Sequence, residues 1–282
     1  MRVILCALVS IVVSAPAGAA TITFNDFSST AGLALNGDAA VATTSDGQVL
    51  RLVPATGSQS GSAFSSATIN ASNFSTAFQF RITDPGGISD GVQTGADGLV
   101  FVVQPVSSSI GGAGGGLGYQ GVTPSLGVEF DTFWNGWDPS SNHLGVDING
   151  NVASAVTTDI ATRFDNEDLW TAWIDYNGTT LEIRTALGTV RPAAATLSYN
   201  VDIATLIGTN TAYVGFTAGT GAAWGNHDIL RWTYSDQFQG GGVDPGEPVP
   251  TPEPASFLLF GAGALGALAA RARRAGRDRR CA

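Results

Sequence analysis

The segment from Leu126 to Asn149 reads LGVEFDTFWNGWDPSSNHLGVDIN and combines two apolar runs with a long polar connection. The run at each end alternates with a period of two, which predicts a pair of antiparallel β-strands. Glu129 and Asp131 are two residues apart on the first strand, so both side chains point to one face of the sheet. The connection before His143 is long for a hairpin, and long connections of this kind are usually functional or disordered.

Three carboxylates, from Glu129, Asp131 and Asp138, fall within ten residues of this segment. Crowding them without a counter-charge costs Coulomb energy and raises their pKa values, whereas bound divalent cations neutralise them. Oxygen ligands suit Ca²⁺, and carboxylates with one imidazole suit a transition ion such as Mn²⁺. The alternative is a solvated hairpin with surface acids. The predicted Ca²⁺ ligands are Asp131, the Phe133 carbonyl, Asn135 and Asp138, and the predicted Mn²⁺ ligands are Glu129, Asp131, Asp138 and His143.

The composition of the whole chain favours β-structure and restricts the chemistry. There are 37 glycines and 12 prolines among 282 residues, and only 13% of the residues are charged. Such a composition indicates short strands joined by turns in one all-β domain. The chain has no lysine, which excludes Schiff-base chemistry and a Walker A loop. The net charge of −10 makes nucleic acid an unfavourable partner.

The two ends carry targeting patterns. Residues 1–20 contain one arginine, an apolar run and a small-residue cleavage site, which is the pattern of a secretory signal peptide. Residues 21–238 form the predicted domain, and 239–254 form a Gly- and Pro-rich linker. Residues 255–270 are an apolar stretch that predicts a short transmembrane helix, and 271–282 form an arginine-rich cytoplasmic tail. Both cysteines, Cys6 and Cys281, lie in these ends, so no disulfide framework is expected in the domain.

The C-terminal order of Pro252-Glu253-Pro254, short apolar helix and arginine cluster resembles the PEP-CTERM sorting signal. The resemblance implies export by a Gram-negative bacterium, a transient anchor in the inner membrane, and an exosortase-type processing partner. It implies a final location at the cell surface or in an exopolysaccharide matrix, with membrane contact only through this signal. The alternative is an ordinary single-pass anchor.

The segment that begins Glu129-Phe-Asp-Thr-Phe and ends Leu-Gly-Val-Asp-Ile-Asn149 resembles the metal-binding segment of the legume (L-type) lectins, and the similarity extends from Phe24 to Tyr234. The resemblance implies a concanavalin-like jelly-roll sandwich of antiparallel sheets that binds carbohydrate with Ca²⁺ and Mn²⁺. It also implies a cis bond between Ala96 and Asp97. The implied sugar-contacting residues are Asp97, Gly116 (from a glycine run that leaves the exact glycine open), Phe133 and Asn135.

Two other functions fit parts of the same pattern. A glycoside hydrolase on this sandwich would use Glu129 and Asp131, but retaining hydrolysis needs a second carboxylic acid as proton donor. The following positions are Phe133 and Trp134, so we expect no enzyme activity. A metal-stabilised surface protein without sugar binding is the other alternative. Trp134 and Trp137 lie beside the metal segment, and one of them is expected to extend the sugar-binding surface.

Overall fold

The computed structural model describes residues 20–108 and 111–248, and this part of the chain is built almost entirely from β-strands. One α-helix, α1, spans Ile203–Ile207, and the Asp202 side chain caps it by accepting from the Thr205 N–H. A single 3₁₀ turn lies at Gly114–Gly116. The strands are β1 Thr21–Phe24, β2 Leu33–Gly37, β3 Ala40–Thr44, β4 Gly47–Val53, β5 Ser60–Ser65, β6 Ile69–Asn70, β7 Phe74–Gly87, β8 Gly98–Gln104, β9 Leu126–Asp131, β10 His143–Ile148, β11 Asn151–Asp159, β12 Trp170–Tyr176, β13 Thr180–Leu187, β14 Leu197–Asn200, β15 Thr211–Gly219 and β16 Ala223–Ser235.

These strands form two antiparallel sheets. The back sheet has the order β14-β13-β12-β7-β16-β4-β3, and β1 pairs with the end of β16. The front sheet has the order β11-β10-β9-β8-β15-β5-β2, with β6 paired to β15. The prediction of an all-β fold with two antiparallel sheets is therefore confirmed.

Aromatic side chains from both sheets fill the space between them. Phe78 and Phe80 of the back sheet are fully buried on the alternating positions of β7. The Phe78 ring lies 4.8 Å from that of Phe216, and the Phe80 ring lies 5.2 Å from that of Phe130. Burial of each such ring stabilises the fold by about 1.5–3 kcal/mol, and edge-to-face contacts add to this.

The connection between β8 and β9 folds over the outer face of the front sheet. Leu117, Tyr119 and Val122 of this connection are buried there against Phe64 and Val100 of the sheet. This second apolar layer fixes the glycine-rich residues 111–121 close to the end of β15, where Gly114 donates a backbone hydrogen bond to Thr220 at 3.1 Å.

Residues 239–248, which we call the strap, lie against the outer face of the back sheet. Val243 is buried there with Ala77 and Trp173, and Gly246 N–H donates to Thr233 Oγ1 at 2.9 Å. This first part of the predicted linker is packed on the domain because one valine and several backbone groups find partners on the sheet. The remainder, 249–254, lies outside the described residues.

The chain divides after Val249 into two units, and every described residue lies in the first. In the ranges 20–108 and 111–248, no helix is both long enough and apolar enough to span a membrane. The predicted signal peptide 1–20 (except Ala20), the transmembrane helix 255–270 and the tail 271–282 lie outside the described residues.

Candidate functional site

A buried polar cluster lies on the adjacent strands β9 and β10. Asp131 pairs directly with His143, and Glu129 pairs with Gly145, so the three polar side chains share one face. His143 Nε2 lies 3.0 Å from Glu129 Oε1, and both side chains are 1% exposed. One ligand atom from each of Glu129, Asp131 and His143 lies within 4.8 Å of the other two. Two carboxylates and one imidazole at this spacing could together hold a divalent metal ion.

The space for this cluster comes from the absence of a side chain at Gly145. A β-carbon there would collide with Glu129 Oε1 and with Ser154 Oγ. Ser154 Oγ lies 2.6 Å from Glu129 Oε1 and also 2.6 Å from Asp147 Oδ1. Because one hydroxyl carries one proton, Ser154 donates to one carboxylate at a time. Asp147 and Ser154 therefore adjoin the cluster on the side of Glu129.

Burial makes the negative charge of this cluster costly. It raises the pKa of Glu129 to about 7 and holds the pKa of Asp131 and Asp147 well above the usual range. The charge of Asp138 contributes to the raised pKa of both Glu129 and Asp131. Burial also lowers the pKa of His143, which keeps its imidazole neutral. A neutral imidazole beside acids that ionise only at a cost is the electrostatic setting that a bound cation relieves.

A second acidic position, Asp97, lies at the edge of this cluster. The Ala96–Asp97 peptide bond is cis, as the resemblance implies. The Asp97 carbonyl accepts from Thr132 N–H at 2.9 Å, and its own N–H donates to Gly219 at 3.1 Å. Burial and the nearby Asp138 raise the pKa of the Asp97 carboxyl to about 7, against a hydrogen bond from the Gly221 backbone. Asp97 lies directly before β8, and these backbone bonds connect it to the end of β9 and to the turn between β15 and β16.

Residues 132–142 follow β9, and we call them the metal loop because the predicted ligands Phe133, Asn135 and Asp138 lie on it. Asn135 N–H donates to Asp138 Oδ2 at 2.6 Å, which closes the loop. The Asn135 side chain contacts Gly115 so closely that a β-carbon on this glycine would collide with it. Gly116 is buried, and its N–H donates to Ala113 at 3.1 Å. Gly115 is therefore the member of the glycine run that faces Asn135, and the sugar-contacting role of Gly116 stays a prediction.

Arg163 fixes the metal loop from the outside. Its guanidinium forms a bidentate pair with Asp165, at 2.8 and 3.0 Å, and donates to the backbone carbonyls of Ser141 and Thr132. Phe133 is half-buried on the loop, whereas Trp134 and Trp137 are 48% and 52% exposed. Both tryptophans are therefore on the surface.

The structure brings the predicted Glu129, Asp131 and His143 into contact and places Asp138, Asn135, Phe133 and Asp97 around them. Asp147, Ser154 and Arg163 were not predicted, whereas Gly115 belongs to the glycine run in which the exact sugar-contacting residue was left open. Asp147 could have been found, because it continues the period-two face of His143 along β10. Ser154 and Arg163 reach the site from β11 and from the connection after it, and no local pattern indicates them.

The chain is similar to known protein families over most of its length. A model of the legume lectin domain matches residues 19–245. The chain belongs to the legume lectin domain family. Its two antiparallel sheets are those of a jelly-roll sandwich, as the resemblance implies. A model of the PEP-CTERM protein-sorting motif matches residues 250–274, which confirms the second resemblance.

Individual lectins support the family assignment. The chain is 34% identical over 187 residues to the basic agglutinin of Psophocarpus tetragonolobus and covers 74% of it. It is 32% identical over 188 residues to agglutinin-2 of Cladrastis kentukea and covers only 61% of that protein, while the match takes in 62% of this chain. The crystal structure of basic winged bean lectin with Tn-antigen is similar with a TM-score of 0.64 and 30% identity, over 77% of this chain and 98% of that one. These relatives are lectins and agglutinins. At the level of the family, this supports the expectation that the protein is not an enzyme.

Proposed function

We propose that this lectin-family protein is exported and binds carbohydrate with the help of Ca²⁺ and a transition metal such as Mn²⁺. The observation that carries the proposal is the buried contact of Glu129, Asp131 and His143 on adjacent strands, beside an Asp97 that is fixed by backbone bonds. The relatives are lectins, and one was crystallised with Tn-antigen.

The residues fit two cations by the chemistry of their donors. Asn135 Oδ1 and Asp97 Oδ2 are buried oxygens without a hydrogen-bond partner, and a buried oxygen without a partner costs about 1–3 kcal/mol. We assign Glu129, Asp131, Asp138 and His143 to a transition metal, and Asp131, the Phe133 carbonyl, Asn135 and Asp138 to Ca²⁺. The cations would supply the positive charge that lets these acids ionise together.

The sugar site that we propose lies where the loops meet. Asp97 would accept hydrogen bonds from sugar hydroxyls, Asn135 would donate one, and the Phe133 ring would cover an apolar face of the sugar. A backbone N–H of the glycine run at Gly115–Gly116 would complete the set. The short turn between Gly219 and Ala223 adjoins this site, since Asp97 N–H donates to the Gly219 carbonyl and Gly114 N–H donates to the Thr220 carbonyl, both at 3.1 Å.

Hydrolysis has no support in this arrangement. Glu129 is 1% exposed and Asp131 is 2% exposed, and Glu129 contacts His143. A nucleophile or proton donor must reach the scissile bond, and carboxylates with so little exposed surface offer a substrate no access. The same burial favours a role as metal ligands.

The same proposal gives a role to each terminal segment of the chain. Residues 1–20 direct export, and 21–238 form the binding domain. Residues 239–254 connect the domain to the sorting motif, with the strap docked on the domain. We propose that 255–270 span the membrane transiently and that 271–282 stay in the cytoplasm until an exosortase removes the motif, which leaves the protein at the surface or in the matrix of a Gram-negative bacterium.

The test is a glycan array with the purified protein in Ca²⁺ and Mn²⁺, and again after removal of both ions by EDTA. We expect glycan binding with the ions and its loss in EDTA. Asp97→Ala removes charge-assisted hydrogen bonds of about 1.5–3 kcal/mol, so binding should weaken by roughly ten- to a hundredfold.

Asp168→Ala, at an exposed aspartate of a turn, is the matched control and should bind normally. Binding that is unaffected by EDTA would contradict the metal assignment. A wild-type protein that is stabilised by the ions but binds no glycan would instead support the structural alternative.

A further inference from the structure

A second pocket lies on the outer side of the metal loop. We call it the Trp134 pocket; its volume is about 370 Å³, at the lower end of the range of small-molecule sites. Its wall includes Val92, Trp134, Ser140, Ser141, Asp159 and Ile160. Val92 is 69% exposed and Trp134 is 48% exposed, so two apolar side chains face the solvent here next to polar groups. None of these residues is assigned above to the cations or to the sugar at Asp97.

Hydrogen bonds hold the indole of Trp134 in place. Its Nε1–H donates to the Asp138 carbonyl at 3.1 Å, and its backbone N–H donates to Asp90 Oδ2 at 3.2 Å. Asp90 in turn accepts from the backbone of Val92 at 2.9 Å. The backbones of the two exposed apolar residues, Val92 and Trp134, are thereby connected through one carboxylate. An aromatic ring fixed before binding loses little conformational freedom when a ligand covers it.

The polar groups of the wall suit an uncharged, hydroxyl-rich ligand. Asp159 is exposed and offers carboxylate acceptors, and Ser140 and Ser141 carry hydroxyl groups. Arg163 is the one cationic residue of the described wall, and its guanidinium is already occupied by Asp165 and by two backbone carbonyls. An anionic ligand would therefore find no free positive charge, whereas sugar hydroxyls can donate to the acceptors while an apolar sugar face covers the indole.

The Trp134 pocket is adjacent to the proposed sugar site. Trp134 lies between Phe133 and Asn135 in the chain, so its Cα is about 3.8 Å from the Cα of each. Asp138, whose carbonyl fixes the indole, is also an assigned cation ligand. The metal loop therefore borders both the Trp134 pocket and the proposed sugar site. A sugar unit on Trp134 and a sugar unit at Asn135 would contact neighbouring residues of this one loop.

We propose that the Trp134 pocket is a second saccharide subsite, which takes the neighbouring sugar unit of a neutral glycan whose terminal unit binds at Asp97. This inference rests on the proposed function. The protein would then bind oligosaccharides and polysaccharides more tightly than a single sugar. A single sugar pocket would not provide this selectivity for chain length.

The experiment compares one sugar with longer chains by isothermal titration calorimetry in Ca²⁺ and Mn²⁺. Neutral methyl glycosides of galactose, glucose, mannose and N-acetylgalactosamine identify the monosaccharide, and neutral oligosaccharides of two to six units ending in that sugar follow. Trp134→Ala should leave the Kd for the methyl glycoside within about twofold of wild type. It should weaken the best oligosaccharide about fivefold to twentyfold, as expected for loss of one aromatic contact.

Two further variants separate the ring from its hydrogen bond and from general surface effects. Trp134→Phe keeps an aromatic face without Nε1–H and should recover part of the oligosaccharide affinity. Leu187→Ala changes an exposed apolar residue of the back sheet and should change neither affinity.

Equal effects of Trp134→Ala on the glycoside and the oligosaccharide, or no effect on either, would overturn the second subsite while the sugar site at Asp97 stands. If wild type binds the glycoside but gains nothing from longer chains, the second subsite is likewise overturned. Absence of any glycan binding by wild type would overturn the proposed function and this inference with it.

Discussion

Gly145 faces the carboxylate of Glu129 across the β9–β10 pair, and its missing side chain gives that carboxylate its space. Gly145→Ala would place a methyl group against Glu129 Oε1 and Ser154 Oγ. Overpacking of this kind costs about 1–3 kcal/mol, and displacement of a ligand or its supporting group weakens metal affinity by about 10–100-fold. We expect a lower melting temperature and weaker Mn²⁺ binding, measured by thermal unfolding and by metal titration.

Gly136→Ala is the matched control in the metal loop. No heavy atom lies within 4 Å of a β-carbon at this position. Its melting temperature and metal affinity should stay those of wild type. If Gly145→Ala behaved in the same way, the close contact with Glu129 would have no role in the metal site.

At the scale of single residues, local periodicity predicts which strand residues share one face at the site. It does not predict every residue that contacts the site. Glu129, Asp131 and His143 were predicted from their spacing on two strands, and the structure brings them together. Ser154 was missed because it belongs to β11, and only the pairing of β10 with β11 brings it to Glu129. Such a contact depends on the tertiary register and has no local signal.

At the scale of elements, apolar alternation predicts the interior strands and fails at the edges. Alternating apolar residues and turn signals in the sequence predict nine strands, over residues 48–53, 73–82, 98–104, 125–132, 144–149, 169–176, 180–186, 211–217 and 228–234. They correspond to β4, β7, β8, β9, β10, β12, β13, β15 and β16. The missed strands β2, β3, β11 and β14 are the outermost strands of the two sheets. Edge strands pair on one side only and carry more polar and small residues, so their pattern is weak. The interior strand β5 was also missed, because its sequence SGSAFS is rich in small residues.

The strap is an element that composition alone does not predict. Its glycines and prolines are typical of a linker, yet Val243 is 7% exposed against the back sheet, and Glu247 accepts a hydrogen bond from Thr233 Oγ1 at 3.1 Å. One apolar residue within a Gly- and Pro-rich stretch is enough to anchor it when a sheet offers a complementary apolar patch.

Val243→Asp tests the strap directly. A carboxylate buried against Ala77 and Trp173 would be unpaired, and the strap should leave the sheet to keep this group in water. We expect a loss of about 1–3 kcal/mol, the range for burial of one such side chain, and faster proteolysis within residues 239–248. Thermal unfolding and mass spectrometry of the cleavage products measure the two effects.

Val190→Asp provides the comparison, since Val190 is 79% exposed. It should change neither stability nor cleavage. Equal stability and equal protection of wild type and Val243→Asp would show that the strap does not hold to the sheet in solution.

At the scale of the whole molecule, stability should depend jointly on cations and pH. Burial raises the pKa of Glu129 and of Asp97 to about 7 from ordinary values near 4. Because the folded, metal-free protein holds these protons more tightly than the unfolded chain, their contribution to stability is complete below pH 4 and is lost as the pH rises to about 7. A divalent cation must displace the same protons, so its binding should strengthen over this range.

We therefore expect Ca²⁺ and Mn²⁺ to raise the melting temperature more at pH 8 than at pH 5. At 100 times their Kd the ions add about 2.7 kcal/mol, which corresponds to roughly 5–10 °C for a domain of this size. Differential scanning calorimetry of ion-free and ion-loaded protein at both pH values measures the difference. An equal increase at pH 5 and pH 8 would contradict the assignment of the buried acids as ligands.

The strand β16 runs from the turn beside Asp97 to the start of the described chain. Ala223 lies at its first end, and Ser235 pairs with Thr21 at the other. Thirteen residues of strand span about 40 Å. Ala20 and Asp236 are joined there by two hydrogen bonds, and Glu247 of the strap contacts Thr233 nearby. Ala20 and the end of the strap thus lie toward the end of β16 that is remote from Asp97, so a fluorescent label attached at Ala20 leaves the loops around Asp97 uncovered.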